Sequence, residues 1–399
     1  MTRRKILYID LALENTVGHG FQDLSEFGDS LRQEFECSIF CNRAASPDLV
    51  KKISAAPVLS AHPTRELSSN FFVNLTRRVW LELTKSFFEL RKVSANSEYQ
   101  NILFFQHIEY FNLIGILGCK RASNKLIIVL RSDPLFGGNL SSAVRILFYT
   151  ALINLIRLKF RRNVTFASDS PELSQVYERL SPNLQVPVAL PPAIELRKNQ
   201  LVQPLNREAR RVTTVGYLGR AAPEKGFNRL PTLIPKKRDP QSYKASLNRI
   251  HFILDIFGAD GATEHTVREL KLMASKSNPF DSNITISLNE APASSADYNS
   301  KLGEIDIALL LYDSTRYKRQ TSGVLFDCIL SGVLPIVLPD TWLSGQIATL
   351  GAGRIYKNEA LLDDIFVVTE RDRVELAAAR QALLNQPTVL DLIWAVTNE

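Results

Sequence analysis

Short apolar runs recur along this chain at intervals too wide for hairpins, with helical patterns filling the gaps. "KILYID" (5–10), "CSIFC" (37–41), "NILFFQ" (101–106), "KLIIVL" (125–130) and "NVTFAS" (163–168) are apolar at nearly every position. A strand with one wet face alternates, whereas a parallel strand covered on both faces does not. Helical stretches near 21–35, 70–93, 108–118, 140–160 and 171–180 lie between the runs. The last opens "SDSPEL", a Ser/Asp cap followed by Pro171 and Glu172 in the first turn.

The rhythm breaks at "LQVPVALPPAIELRKNQLVQPLNREAR" (184–210), which has four prolines and no sustained period. It then resumes. "RVTTVGYLG", "IHFILDIFG", "ITISL", "IDIALLLY" and "VLPIVLP" read as strands, with helices near 226–235, 263–275, 296–303, 322–331 and 370–385. A chain of 399 residues exceeds one comfortable core. The expectation is an α/β protein of two Rossmann-like, doubly wound domains facing a central cleft. Residues 1–190 form the first domain, 191–210 a linker and 211–385 the second. Residues 386–399 are expected to pack back on the first domain.

Composition narrows the classes. The chain is 45% hydrophobic and 22% charged, and its four cysteines lack paired spacing, so they read as reduced and buried. The start "MTRRKILYIDLAL" is interrupted by Asp10 and reads as a first strand, not a signal peptide. No stretch approaches the ~20 apolar residues that span a bilayer, so a cytoplasmic location is expected. No helix-turn-helix or zinc pattern supports nucleic acid as a partner. No cluster has metal-ligand spacing, so no metal and no cofactor are expected.

The net charge of +7 lies mostly in the first half, and residues 134–168 contain no acid. "FFVNLTRRVWLELTKSFFELRKV" (71–93) and "AVRILFYTALINLIRLKFRR" (143–162) mix apolar side chains with cations. Two core helices with cationic ends would explain them. So would a face that touches an anionic inner membrane leaflet.

Ligands of doubly wound sheets bind at the carboxyl ends of the strands, which directs attention to the loops there. "YLGRAAPEKGF" (217–227) places Gly219, Arg220 and Lys225 after the first strand of the second domain. Gly219 is expected to allow a sharp turn. Solvent or a phosphate could each satisfy the two cations, and neither a P-loop nor a dinucleotide fingerprint is present. A hundred residues on, "RYKRQTSGVLFDCILSGVLPIVLPDTW" (316–342) starts a helix at Thr321, Ser322 and Gly323. A helix N-terminus with small residues offers free N–H groups and a positive dipole end to a diphosphate. Asp327, one turn in, can accept two hydroxyl hydrogen bonds, or be a solvated helix position.

These two motifs, "G-R-x-x-x-x-K-G" and "SG-x-x-x-(D/E)-x-x-x-x-G-x-x-P", resemble in order and spacing the retaining glycosyltransferases of family 4, which have the GT-B fold. The resemblance covers most of 205–345 and is weaker in the first half, where it rests on topology, "TVGHGF" and "QHIEY". It implies transfer of a sugar from a nucleoside diphosphate sugar to a glycan or lipid-linked glycan. Retention and a metal-independent route, with the first domain taking the acceptor, are part of that implication. Arg220 and Lys225 would neutralise the donor diphosphate, the amides around Ser322 and Gly323 would hold it, and Asp327 would take the ribose hydroxyls. The family often has a glutamate where this chain has Arg319, so Arg319, Gln320 or Thr321 would read the donor sugar instead. That departure also leaves open a non-catalytic nucleotide-sugar or glycan-binding protein.

In the first half the resemblance assigns a catalytic histidine to His107. It places the glycines Gly18 and Gly20 of the loop 14–24 near donor phosphates. His19, Arg131 and Asp133, after strands of the same domain, are the acceptor-side candidates. A loop histidine, a capping histidine and an ordinary turn aspartate are the structural alternatives for His19, His107 and Asp133.

Overall fold

The computed structural model describes residues 4–10, 19–59, 71–95, 102–108, 112–120, 125–136, 139–190, 194, 212–234, 249–276, 284–290, 295–357 and 365–398. The chain divides into two compact units, Met1–Leu196 with Pro387–Glu399, and Arg197–Gln386.

The first unit is built on six strands: β1 (Lys5–Asp10), β2 (Glu36–Asn42), β3 (Ala55–Leu59), β4 (Ile102–Ile108), β5 (Lys125–Leu130) and β6 (Val164–Ser168). They pair in the order β3-β2-β1-β4-β5-β6, all parallel. Its helices are α1 (His19–Glu34), α2 (Pro47–Ile53), α3 (Phe71–Leu81), α4 (Phe87–Val93), α5 (Asn112–Ile116), α6 (Asn139–Phe160) and α7 (Pro171–Leu180). A π-turn, Glu82–Ser86, joins α3 to α4.

Alternate residues of each strand face opposite layers. Leu7, Leu103, Leu126 and Ile128 pack under α4 to α7. Ile6, Phe104 and Val129 pack under α1, α2 and a helix at Val389–Asn398. That helix brings Trp394 to 4.9 Å from Phe35, ring centre to ring centre, and Leu190 pairs with Thr388 just before it. The Ser170 cap is in place, its side chain accepting from the Leu173 amide at 3.1 Å.

The second unit repeats the plan. β7 (Val212–Arg220), β8 (Arg249–Phe257), β9 (Ile284–Asn289), β10 (Ile307–Leu310), β11 (Leu334–Val337) and β12 (Arg354–Ile355) form one parallel sheet in the order β12-β11-β10-β7-β8-β9. Counted from its own first strand, each sheet runs 3-2-1-4-5-6 or its mirror listing, the doubly wound order. Helices at Glu264–Lys276, Ser295–Glu304, Gly323–Leu330, Trp342–Leu350 and Glu370–Leu384 belong to this unit.

Three local expectations change. β3, "AAPVL", contains Pro57 and does not read as a strand, yet it forms the sheet edge, where a missing N–H costs no ladder bond. The helix expected over 226–235 is two 3-10 turns, Pro223–Lys225 and Phe227–Arg229, followed by four α-helical residues, Leu230–Leu233. Gly226 sits between the turns at φ 73, a left-handed conformation no α-helix accommodates. The first helix starts at His19, so His19 and Gly20 open α1 rather than closing the loop before it.

Candidate functional site

In the second unit the strand order reverses between β7 and β10. Chain leaves these two neighbours in opposite directions, and the crevice opened at their carboxyl ends is where such sheets take ligands. β7 runs into the Arg220–Lys225 turn, and β10 leads into the segment that ends at the helix Gly323–Leu330.

The two segments are tied together. The Asp313 amide donates to the Glu224 carbonyl at 2.9 Å, and Arg316 lies 3.6 Å from the Glu224 carboxylate. Gly226 presses on the end of β10, where a Cβ would collide with the Leu311 carbonyl oxygen. This seats Lys225 against Tyr312, with Nζ 5.7 Å from the ring centre. Tyr312 packs against Tyr317 with ring centres 4.5 Å apart and planes tilted by 49°, and its hydroxyl accepts from Ser322 Oγ at 3.4 Å. A chain of contacts therefore runs from the lysine to the N-cap of the second motif's helix.

Burial lowers the Lys225 pKa below the ordinary lysine value, although Tyr317 and Glu224 pull the other way. Burial likewise pushes the Tyr312 phenol up to about 12 and the Tyr217 phenol well above its usual value, so both rings are neutral. Arg220 is exposed, its side chain running past Gly258, whose φ is 63 and whose Cβ would stand 3.5 Å from Arg220 Cγ. Among the described residues neither cationic side chain forms a hydrogen bond or an ion pair. Two cations on a strand end, one of them desolvated, favour an anion.

The helix Gly323–Leu330 has Ser322 as N-cap, with no capping bond from its side chain. Of its first-turn amides Leu325 donates to the Ser322 carbonyl at 3.2 Å, whereas a helix start leaves the amides before it without an intrahelical acceptor, and a Cβ on Gly323 would meet nothing within 4 Å. Gly219 is equally open, and it lies inside β7 without positive φ. The sharp turn expected at Gly219 falls instead at Gly226. Asp327 is buried rather than solvated, 3% exposed, and accepts from the Tyr298 hydroxyl at 3.2 Å. Arg319, Gln320 and Thr321 are half-buried just before the helix.

Sequence reasoning missed Tyr298, Tyr312 and Tyr317. Tyr312 directly follows a run of buried strand residues, and an aromatic there reads as core. Only its contacts with Lys225 and Ser322 give it another meaning.

In the first unit, His107 lies near the carboxyl end of β4, and Gly18 falls outside the described residues. Arg131 follows β5 and gives its Nε to Asp169, just after β6, at 2.6 Å. Asp133 accepts from the Leu135 amide at 2.9 Å, closing a turn around Pro134.

No protein-family model and no curated protein matches the chain. Solved structures do match, over nearly all of its length. Anabaena HepE in complex with UDP-glucose is 13% identical, with a TM-score of 0.60 over 99% of this chain and 98% of that one. An α,α-trehalose 6-phosphate synthase from Burkholderia multivorans is 12% identical, TM-score 0.62, covering 100% and 97%. A sucrose-phosphate synthase from Thermosynechococcus elongatus is 13% identical, TM-score 0.54, covering 98% of each. With both sheets parallel and doubly wound, the chain has the two-unit α/β fold of these proteins, the GT-B fold.

Proposed function

We propose that this protein is a glycosyltransferase that uses a nucleoside diphosphate sugar. The observation that carries the reading is the join between the two motifs at the reversal of the second sheet. Lys225 reaches Tyr312, and Tyr312 reaches Ser322. Arg220 and Lys225 neutralise the diphosphate, and the amides at Ser322 and Gly323 bind its oxygens. Positive charge held there stabilises the departing nucleotide without reorganisation during the reaction, on a metal-independent route. Asp327, held by Tyr298, takes the ribose hydroxyls, and Arg319, Gln320 and Thr321 read the donor sugar.

Membership of family 4, retention of anomeric configuration and a glycan or lipid-linked glycan acceptor are parts of this proposal. They rest on the motif resemblance. His107, with His19, Arg131 and Asp133 on the acceptor side, belongs to the same reading. HepE was solved with UDP-glucose, which makes uridine donors the first to try.

The test offers a panel of nucleoside diphosphate sugars to the wild type, Arg220→Ala and Lys225→Ala, reading thermal stabilisation and slow donor hydrolysis. An affinity, read from the stabilisation across donor concentrations, that both substitutions lower at least tenfold supports the site. Binding left intact in both variants, or no binding by the wild type, refutes it. Arg319 at the usual glutamate position favours one second reading, a binding protein without turnover. Stabilisation with no hydrolysis or transfer across an acceptor panel selects that reading.

A further inference from the structure

Nine large hydrophobic side chains stand exposed among the described residues, and seven of them lie on two helical segments of the first unit. Val73, Trp80, Leu83 and Phe88 belong to the α3–α4 segment, Trp80 being 64% exposed. Leu147, Leu155 and Leu158 belong to α6, Leu158 being 73% exposed. Both segments cover the same face of the first sheet, because Leu90 of α4 and Ile153 and Ile156 of α6 join one core cluster. Their outward sides therefore share a layer.

The exposed apolar residues of α6 share one side of the helix, and on α3–α4 Val73, Trp80, Leu83 and Phe88 alternate with exposed Thr76, Arg77, Thr84 and Lys85. On α6 the exposed positions are Ala143, Leu147, Ala151, Asn154, Leu155 and Leu158, all apolar but Asn154 and gathered on one helical face. Behind that face Tyr149, Ile153 and Phe160 fill the core, so α6 is apolar on both sides. A surface helix that buries one apolar face ordinarily carries polar groups on the other, and contiguous exposed apolar surface marks an interaction site.

Charge names the occupant. Arg77, Lys85, Arg91 and Lys92 are exposed along α3–α4, and Arg161 and Arg162 at the end of α6. Among the described residues none of these six forms a hydrogen bond or ion pair through its side chain. Residues 134–168 contain no acid, and Glu89 on α4 is bound by Arg43 at 3.2 Å. A protein partner would meet a large cationic field with few directional polar groups. An anionic bilayer matches both properties, since its headgroups take the cations and its acyl boundary takes Trp, Phe and Leu.

We propose that the outward face of α3, α4 and α6 docks on an anionic lipid surface. Docking does not depend on the proposed sugar transfer, and its test reads no chemistry. The full chain is mixed with phosphatidylcholine vesicles containing or lacking phosphatidylglycerol and followed by sedimentation. Of the three tryptophans, Trp342 is buried and Trp394 half-buried, so a blue shift reports Trp80.

Sedimentation with anionic vesicles only, a blue shift absent in Trp80→Phe, and loss of binding at high salt are expected. Arg162→Gln with Lys92→Gln should lower partitioning roughly 30-fold. Phe88→Ser with Leu158→Ser should lower it at least tenfold, with thermal midpoints unchanged because both sites are exposed. Equal sedimentation with neutral vesicles, no sedimentation, or binding unaffected in both double variants would overturn the proposal. So would concentration-dependent self-association that Phe88→Ser with Leu158→Ser abolishes, since a second copy would then cover the face. Donor binding measured on the same variants separates this failure from a failure of the glycosyltransferase reading.

Discussion

Lys225 stands over the Tyr312 ring, 5.7 Å from Nζ to its centre, and the hydroxyl of that ring accepts from the N-cap serine of the next motif. One tyrosine thus links a cation to a helix start nearly a hundred residues away. Tyr312→Phe keeps the ring and loses only the Ser322 contact, so nucleotide affinity should fall about two- to fivefold. Tyr312→Ala removes the surface on which Lys225 rests, and affinity should fall at least tenfold. Calorimetric titration of a nucleoside diphosphate distinguishes the two.

The pKa of Lys225 is lowered chiefly by burial, so the unfolded chain holds this proton more tightly than the folded one. Between the folded value and the ordinary 10.5 the unfolded state binds more protons, and stability rises with pH. Below that window the charged, desolvated ammonium costs stability throughout. Lys225→Met should therefore melt higher than wild type near neutral pH, and its advantage should shrink as alkaline pH is approached. A bound nucleoside diphosphate should reverse the order. Thermal melts across pH, with and without nucleotide, check both signs.

Gly226 and Gly219 should respond oppositely to alanine. At Gly226, φ is 73 and a Cβ would meet the Leu311 carbonyl, so Gly226→Ala should destabilise by about 2 kcal/mol or more. At Gly219 a Cβ meets nothing within 4 Å, and stability should be nearly unchanged. If a diphosphate passes close to this backbone, Gly219→Ala should weaken its binding alone. Urea unfolding paired with nucleotide titration tests the contrast.

Asp327 is buried with the Tyr298 hydroxyl on it. Asp327→Ala strips that hydroxyl of its acceptor and should cost about 1–3 kcal/mol in stability. Asp327→Asn keeps the shape and an acceptor oxygen. It should stay folded while losing roughly tenfold in affinity for a nucleotide over its ribose-free diphosphate.

Arg131 gives its guanidinium to Asp169, whose side chain is 2% exposed. Arg131→Ala leaves that carboxylate in the interior without its cation, and about 3 kcal/mol of stability should be lost. Arg131→Lys should recover only part, since one ammonium replaces a planar fork. A loss of stability without any change in acceptor use would assign Arg131 to the framework.

The doubly wound fold was legible because its strands are short and buried on both faces. "KILYID" and "KLIIVL" are β1 and β5 to the residue. What escaped was decided by position in the sheet or by single backbone angles. Pro57 disguises β3 because a proline weakens a strand pattern unless the strand lies at an edge, and edge position is a property of pairing order. Gly226 turns an expected helix into 3-10 turns through one positive φ. The cations were visible as spacing, whereas Tyr312 and Tyr298 matter through contacts with residues far along the chain. Asp327 resembled a solvated position because its amphipathic pattern says nothing of Tyr298.

The helix Val389–Asn398 joins the core on the α1 and α2 side of the first sheet through Val389, Ile393 and Val396. A ribosome releases the first six strands long before it makes that helix. The first sheet must therefore wait, one side only partly covered, while the whole second unit is synthesised and free to fold. The order of completion is the reverse of the order of translation, and a chain stalled between residues 350 and 387 should expose Phe104 and Ile6 to chaperones.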